Sequence, residues 1–116
     1  MSSAASRIHV SRSERHSVAT LELSGELDIA AEDPLEAELH DVLQHHVDHL
    51  VVDLRALDFM DSTGLLMLLR INEQSRQDAF RLWIVNDRAN PAGKVLRLTG
   101  LDKVLPLVDR PPDLPD

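Results

Sequence analysis

The sequence predicts a single α/β domain with a mixed β-sheet of about four to five strands and helices packed against it. Three observations support this fold class. The chain has 116 residues, enough for one hydrophobic core. Two largely apolar runs of strand length, residues 50–54 and 81–85, are typical of strands covered on both faces. Segments with helical spacing alternate with these runs, and that order predicts parallel crossovers.

The first elements predict a β-hairpin. Ile8 and Val10 alternate with polar neighbours, and a polar turn follows at residues 11–16. Leu21 and Leu23 then share one face of a second strand. We expect Gly25 to end that strand.

Two helices and a buried strand are expected next. Asp33 followed by Pro34 is typical of an N-cap and first helical position, so a helix is predicted from Pro34 to about His46. Residues 50–54 form the next strand. A second helix over residues 63–77 has an apolar start and a polar end, so its start is predicted to be the buried part.

The last helix follows the strand at residues 81–85. Asn90 and Pro91 predict its start, and Gly100 predicts its end. Its inward side chains are expected to be Val95, Leu96 and Leu98.

The C-terminal part of the chain predicts one more short element and a tail. Residues 104–107 read as a short strand or turn, which Pro106 restricts to a sheet edge or a break. Residues 1–6 are predicted to be disordered and residues 110–116 to form a flexible tail, which leaves 7–109 as the domain.

Composition excludes several classes of protein. The chain has no cysteine, so it has neither disulfides nor a thiolate metal site. Its apolar runs are too short to span a bilayer, and its N-terminus lacks a secretion signal, so a soluble cytoplasmic protein with no membrane role is expected. A net charge of −8 disfavours nucleic-acid binding and favours a protein partner with a basic face.

A serine beside an aspartate lies where an apolar strand gives way to an apolar helix. The stretch is Phe59-Met60-Asp61-Ser62-Thr63-Gly64-Leu65. Ser62 is therefore expected near a helix N-terminus, where unpaired N–H groups and the helix dipole favour negative charge. We interpret Ser62 as a phosphorylation switch. On the local pattern alone, an ordinary helix cap is the more usual explanation of this serine.

Four motifs follow one another along the chain. They are Ser24-Gly25-Glu26-Leu27-Asp28, Val51-Val52-Asp53-Leu54, the stretch Phe59 to Leu65 given above, and Leu98-Thr99-Gly100-Leu101-Asp102-Lys103-Val104. Together they resemble the STAS domain family and most closely its bacterial anti-sigma factor antagonists. The resemblance covers residues 7–109 and implies a single STAS-like domain.

The resemblance implies a partner-switching function. Ser62 matches the serine that, in the family, is phosphorylated by an anti-sigma factor acting as an ATP-dependent serine kinase, with Thr63 as an alternative acceptor. The unphosphorylated antagonist binds the anti-sigma factor and releases the sigma factor. A metal-dependent phosphatase of the PP2C type restores it. The other function considered is that of a STAS subunit in a stress-signalling or lipid-transport complex.

A set of residues around Ser62 is expected to contact the partner. The set is Glu26, Asp28, Met60, Asp61, Thr63, Gly64 and Met67. Asp28 and Asp61 match acidic family residues that flank the acceptor, but each could equally be a cap. Plain core filling is the more usual role of Met67, and a tight turn would also explain Gly64.

No catalysis, cofactor or metal is expected of this chain. No Gly-x-Ser-x-Gly elbow surrounds Ser62, and Asp61 beside it does not make a triad. His45 and His49 are four residues apart and could share a helix face, with His40 and His46 nearby. Because a zinc site also needs a third ligand and supporting groups, we interpret these histidines as a solvated helix end.

Overall fold

One five-stranded sheet organises the computed structural model, which describes residues 6–114. The strands lie in the order of the sequence, and three α-helices and two 3₁₀ turns connect them. The strands are β1 (Ile8–Arg15), β2 (Val18–Leu27), β3 (His49–Met60), β4 (Arg81–Val85) and β5 (Leu107–Val108). The helices are α1 (Glu32–Leu43), α2 (Ser62–Gln77) and α3 (Pro91–Thr99), with 3₁₀ turns at Ile29–Ala31 and Leu101–Lys103.

The sheet is mixed, which confirms the predicted fold class. β1 and β2 form the antiparallel hairpin that the sequence predicts, and β2 to β5 are parallel neighbours. The parallel strands all end at the same edge of the sheet. That edge carries the start of α2.

Strands β2 and β3 are longer than predicted. Gly25 does not end β2, which continues to Leu27. At φ +90° Gly25 occupies an irregularity in the pairing with β3, and a Cβ there would meet the backbone oxygen of Arg7. β3 continues from the predicted residues 50–54 to Met60, so most of the segment between residue 54 and Ser62 is strand.

The main core lies on one face of the sheet. Leu50, Val52 and Leu54 of β3 belong to the large buried cluster, and alternation along a strand sends Val51 and Asp53 to the opposite face. On β1, Arg12 contacts Glu38 of α1 at 3.4 Å and pairs in register with the core residue Leu21 of β2. Helix α1 therefore covers the same face as the core.

The ends of α1 differ from the prediction. Asp33 is not the N-cap, because the helix begins at Glu32 and Ala31 occupies the cap position. A 3₁₀ turn precedes it and shifts the start towards the N-terminus. The helix ends at Leu43 and not at His46, so the histidines beyond it lie in a connection and in β3.

Helix α3 begins and ends as predicted, with one inward residue wrongly assigned. Asn90 caps it by accepting from the N–H of Gly93, and Gly100 follows it in the left-handed conformation. Leu96 is buried, but Leu98 is 78% exposed. Residues two apart are rotated by about 200° around a helix, so Leu96 and Leu98 cannot share a face.

The remaining expectations concern the chain ends and membranes. The predicted final element is the short edge strand β5, directly after Pro106. Residues 110–114 have no regular structure, while 1–5 and 115–116 lie outside the described residues, so the disorder and flexibility of the ends stay predictions. Within 6–114, no helix is both long and apolar enough to span a membrane.

Candidate functional site

Helix α2 begins where β2 and β3 end side by side. Leu27 and Met60 pair across the two strands, and the N–H of Asp61 donates to the oxygen of Leu27 at 3.4 Å. Asp28, the residue after β2, is therefore brought beside the start of α2.

Asp61 is the N-cap of α2. Its Oδ1 accepts from the N–H groups of Thr63 at 3.0 Å and Gly64 at 3.2 Å. Ser62 is therefore the first helical residue and not the cap that its local pattern allowed. The Ser62 side chain is exposed, while Thr63 is half-buried.

The capped helix start changes the expected surroundings of a phosphate. Two of the N–H groups that a phosphate on Ser62 could use already bind the Asp61 carboxylate. A phosphate adds about −1.5 to −2 charges. A phosphate on Ser62 would therefore compete with the Asp61 carboxylate for those donors and be repelled by it. The expectation of free donors is wrong for the N–H groups of Thr63 and Gly64.

The acidic residues after β2 have structural partners of their own. The Asp28 carboxylate accepts from the N–H of Ala30 at 3.1 Å and so caps the Ile29–Ala31 turn. Glu26 forms an ion pair with Arg7 at 3.4 Å. Both remain partly exposed and contribute negative charge to this edge of the sheet.

Three of the predicted contact residues are buried in the core. Met60 and Met67 are 3% and 4% exposed, and Gly64 is buried too. A Cβ on Gly64 would lie 2.7 Å from the Leu27 oxygen and 2.7 Å from Cγ of Met60. Glycine is thus required by close packing of α2 on the end of β2. In this structure Met60, Gly64 and Met67 shape the site from beneath and offer little contact surface, which corrects the predicted contact set.

Exposed apolar side chains near Ser62 were missed by sequence reasoning. Ile29 is 73% exposed, Phe59 44% and Leu66 53%. Leu66 lies one turn beyond Ser62 on the same helix face. Ile29 directly follows Asp28, and Phe59 pairs in register with Glu26. The apolar character of α2 all round its first turns was the available signal, because such a helix cannot bury every side. We call Ile29, Phe59, Ser62 and Leu66 the switch surface.

The histidines are dispersed. His45 and His49 do not share a helix face, because α1 ends at Leu43 and His49 begins β3. His46 contacts Asp48 at 2.7 Å, and His49 accepts from the Trp83 indole N–H at 3.1 Å. Among residues 6–114, no group of three or more potential metal ligands is positioned to hold an ion.

Two carboxylates away from Ser62 have clear electrostatic roles. The pKa of Asp48 is lowered mainly by a hydrogen bond from Ser17 and, to a smaller extent, by one from His46. The buried Asp53 accepts hydrogen bonds from the Arg55 guanidinium at 2.7 to 3.2 Å, and this carboxylate raises the pKa of Arg55. Asp48 directly precedes β3, and Asp53 lies within it, seven residues before its C-terminal end.

The five-stranded mixed sheet and the strand–serine–helix junction define a STAS domain. The STAS family model matches residues 9–113, so the chain belongs to this family. Its similar relatives include an anti-sigma F factor antagonist from Paenibacillus polymyxa, 33% identical over 97 residues and 79% of each chain. Another is the anti-sigma-F factor antagonist RsfB of Mycobacterium tuberculosis, 31% identical over 105 residues, which are 90% of this chain and 84% of RsfB.

Solved structures show the same fold. An anti-sigma factor antagonist from Mycobacterium paratuberculosis matches with a TM-score of 0.77 and 29% identity, over 95% of this chain and 92% of the other. The antagonist SpoIIAA in its unphosphorylated form matches with a TM-score of 0.73 and 23% identity over 89% of both chains. The phosphorylated Bacillus SpoIIAA matches with a TM-score of 0.68 and 24% identity, over 89% of this chain and 92% of that one.

Proposed function

We propose that this chain is an anti-sigma factor antagonist that is switched by phosphorylation of Ser62. Unphosphorylated, it binds an anti-sigma factor and so releases a sigma factor. The anti-sigma factor, acting as a serine kinase, phosphorylates Ser62 and ends the binding, and a PP2C-type phosphatase reverses the modification. Thr63 is the alternative acceptor. Relatives named as anti-sigma factor antagonists support this role.

One observation carries the proposal: Ser62 is exposed at the first residue of α2, one helical turn from the exposed Leu66. A kinase can reach the Ser62 hydroxyl without unfolding the domain. Exposed apolar groups next to it, Leu66 above all, are suited to burial against a partner protein. Modification and docking would therefore compete for the same few residues.

Charge explains how phosphorylation would end binding. The phosphate would lie among Asp61, Asp28 and Glu26, and burying it in an interface beside an apolar patch would cost desolvation and repulsion. Local rearrangement of the Asp61 cap would suffice to accommodate the group. We expect the contact surface to change while the fold is kept.

The chain itself would contribute no catalysis. In this proposal the kinase supplies nucleotide and metal, and the antagonist supplies the hydroxyl and the docking surface. It would act in the cytoplasm, where the transcription machinery is. Its net charge of −8 fits a protein partner better than DNA.

The acceptor can be tested by intact-mass analysis with the cognate anti-sigma factor and ATP. Wild type should gain one phosphate, Ser62→Ala none, and Thr63→Ala one as in wild type. Unchanged labelling of Ser62→Ala would refute Ser62 as the acceptor. Labelling lost only in Thr63→Ala would assign the alternative.

The charge mechanism can be tested by calorimetric titration of the anti-sigma factor with Ser62→Asp. Affinity should fall at least tenfold, while circular dichroism stays that of wild type. Ser13→Asp, an exposed substitution on β1, is the matched control and should bind normally. Equal affinity of Ser62→Asp and Ser13→Asp would contradict the mechanism.

A further inference from the structure

A groove of about 660 Å³ runs between α1 and α2, beyond the switch surface. Its floor is apolar: Leu39 and Leu43 line it with partly exposed side chains, beside the buried Leu35, Ile71 and Phe80. Its lining runs from Met67 to Gln77 of α2, so the groove has about 15 Å of helix along its side. That length matches about three turns of a partner helix, and apolar grooves between helices are a common way to bind one.

The rim of the groove is acidic. Glu36, Glu73 and Asp78 lie on it, against a single arginine, Arg70. Arg70 already contacts Glu32 of α1 at 3.2 Å and Glu36 at 3.9 Å, so its charge is matched from within the domain.

The other two rim carboxylates keep their charge available. Glu73 contacts Arg76 at 3.7 Å, one turn along an exposed helix face, where such pairs are weak. Asp78 accepts from the neutral amide of Gln74 at 2.6 Å. An occupant of this groove therefore needs apolar side chains for the floor and positive charge for the rim.

The groove is continuous with the switch surface along α2. Ser62, Leu66 and Arg70 are spaced four residues apart, so they form one stripe on the helix. Arg70 is on the groove rim, about 12 Å along the axis from Ser62. A protein that covers Ser62 and Leu66 reaches the groove with its next two helical turns.

We propose that the α1–α2 groove binds a basic amphipathic helix of the same anti-sigma factor that docks at Ser62. This inference rests on the proposed function and extends its interface to a second area. The switch surface would report phosphorylation. The groove, whose charges do not change in the switch, would select the partner through its apolar floor and acidic rim.

The test is a calorimetric titration of the cognate anti-sigma factor with the double variant Glu73→Lys and Asp78→Lys. We expect at least a tenfold loss of affinity and a weaker dependence of binding on salt. The control is Asp109→Lys with Asp113→Lys, which makes the same change in net charge at exposed residues near the C-terminus. Thermal unfolding of both variants checks that each is folded.

The outcomes separate this inference from the proposed function. If wild type binds, Ser62→Asp does not, and the groove variant behaves like the control, the groove inference alone is refuted. If wild type does not bind the anti-sigma factor, both fail together. If sedimentation shows that the groove variant loses a homodimer that wild type forms, the occupant is a second copy, which also overturns the proposal.

Discussion

Replacing Gly64 by alanine tests how α2 is seated on the sheet. The new Cβ would lie 2.7 Å from the Leu27 oxygen, a backbone atom that also accepts from the N–H of Asp61. It would lie equally close to Cγ of Met60, whose side chain is 3% exposed and has little room to move. The start of α2 must therefore lift from the end of β2.

Two opposing effects set the size of the change. Overpacking of this kind costs about 1–3 kcal/mol, and alanine in place of glycine in a helix gains up to about 1 kcal/mol. The clash involves backbone, so we expect a net loss of about 1–2 kcal/mol in the free energy of unfolding. For a domain of this size that is a fall in Tm of about 4 °C or more.

Urea unfolding and anti-sigma binding, measured on the same variant, check this reasoning. Gly93→Ala, in α3 and away from Ser62, is the matched control, since a Cβ there would lie 2.7 Å from the backbone oxygen of Asp87. Both variants should lose stability, but only Gly64→Ala should also weaken binding at a temperature where both are folded. A Gly64→Ala protein as stable as wild type would refute the packing argument.

Three further predictions concern single side chains. Asp61→Ala should lower the free energy of unfolding by about 1 kcal/mol, because it removes the cap of α2. Asp61→Asn should lower it much less, because an amide oxygen can still accept the hydrogen bonds, and denaturant unfolding of the two variants measures the difference. Leu66→Ala should weaken anti-sigma binding at least fivefold in calorimetry with little change in Tm, and an unchanged affinity would remove Leu66 from the interface. The lowered pKa of Asp48 means that its contribution to stability is present above the ordinary aspartate pKa and is lost as pH falls through the folded value. Asp48→Asn should flatten the stability–pH curve there, and an unchanged curve would contradict the role of the Ser17 and His46 hydrogen bonds.

Elements with one strong local signal were predictable from the sequence. β4 and the bounds of α3 follow from an apolar run, an Asn-Pro start and a glycine stop. The true end of β3 was not predictable in this way. Beyond Leu54 only Leu57 and Met60 are buried, three residues apart with exposed residues between them, so the apolar run stops six residues before the strand does.

The site was predictable in position but not in its detailed roles. Ser62 at the head of α2 follows from the strand–helix transition. Its neighbour Asp61 is the cap instead, because Asp and Ser are about equally good caps and one residue of register decides between them. The burial of Met60 and Met67 depends on long-range packing against β2 and the sheet, which local sequence does not show.

Trp83 is the only tryptophan, and its position makes it a selective optical reporter. Its indole donates to His49, with the Arg81 guanidinium 4.4 Å from the ring centroid. Trp83 pairs with Val51, nine residues before the end of β3, so about 30 Å of strand separates it from the start of α2. The intrinsic fluorescence of Trp83 should therefore change on global unfolding but not when a phosphate is added or a partner docks at Ser62. A fluorescence binding assay on this protein needs a dye placed elsewhere.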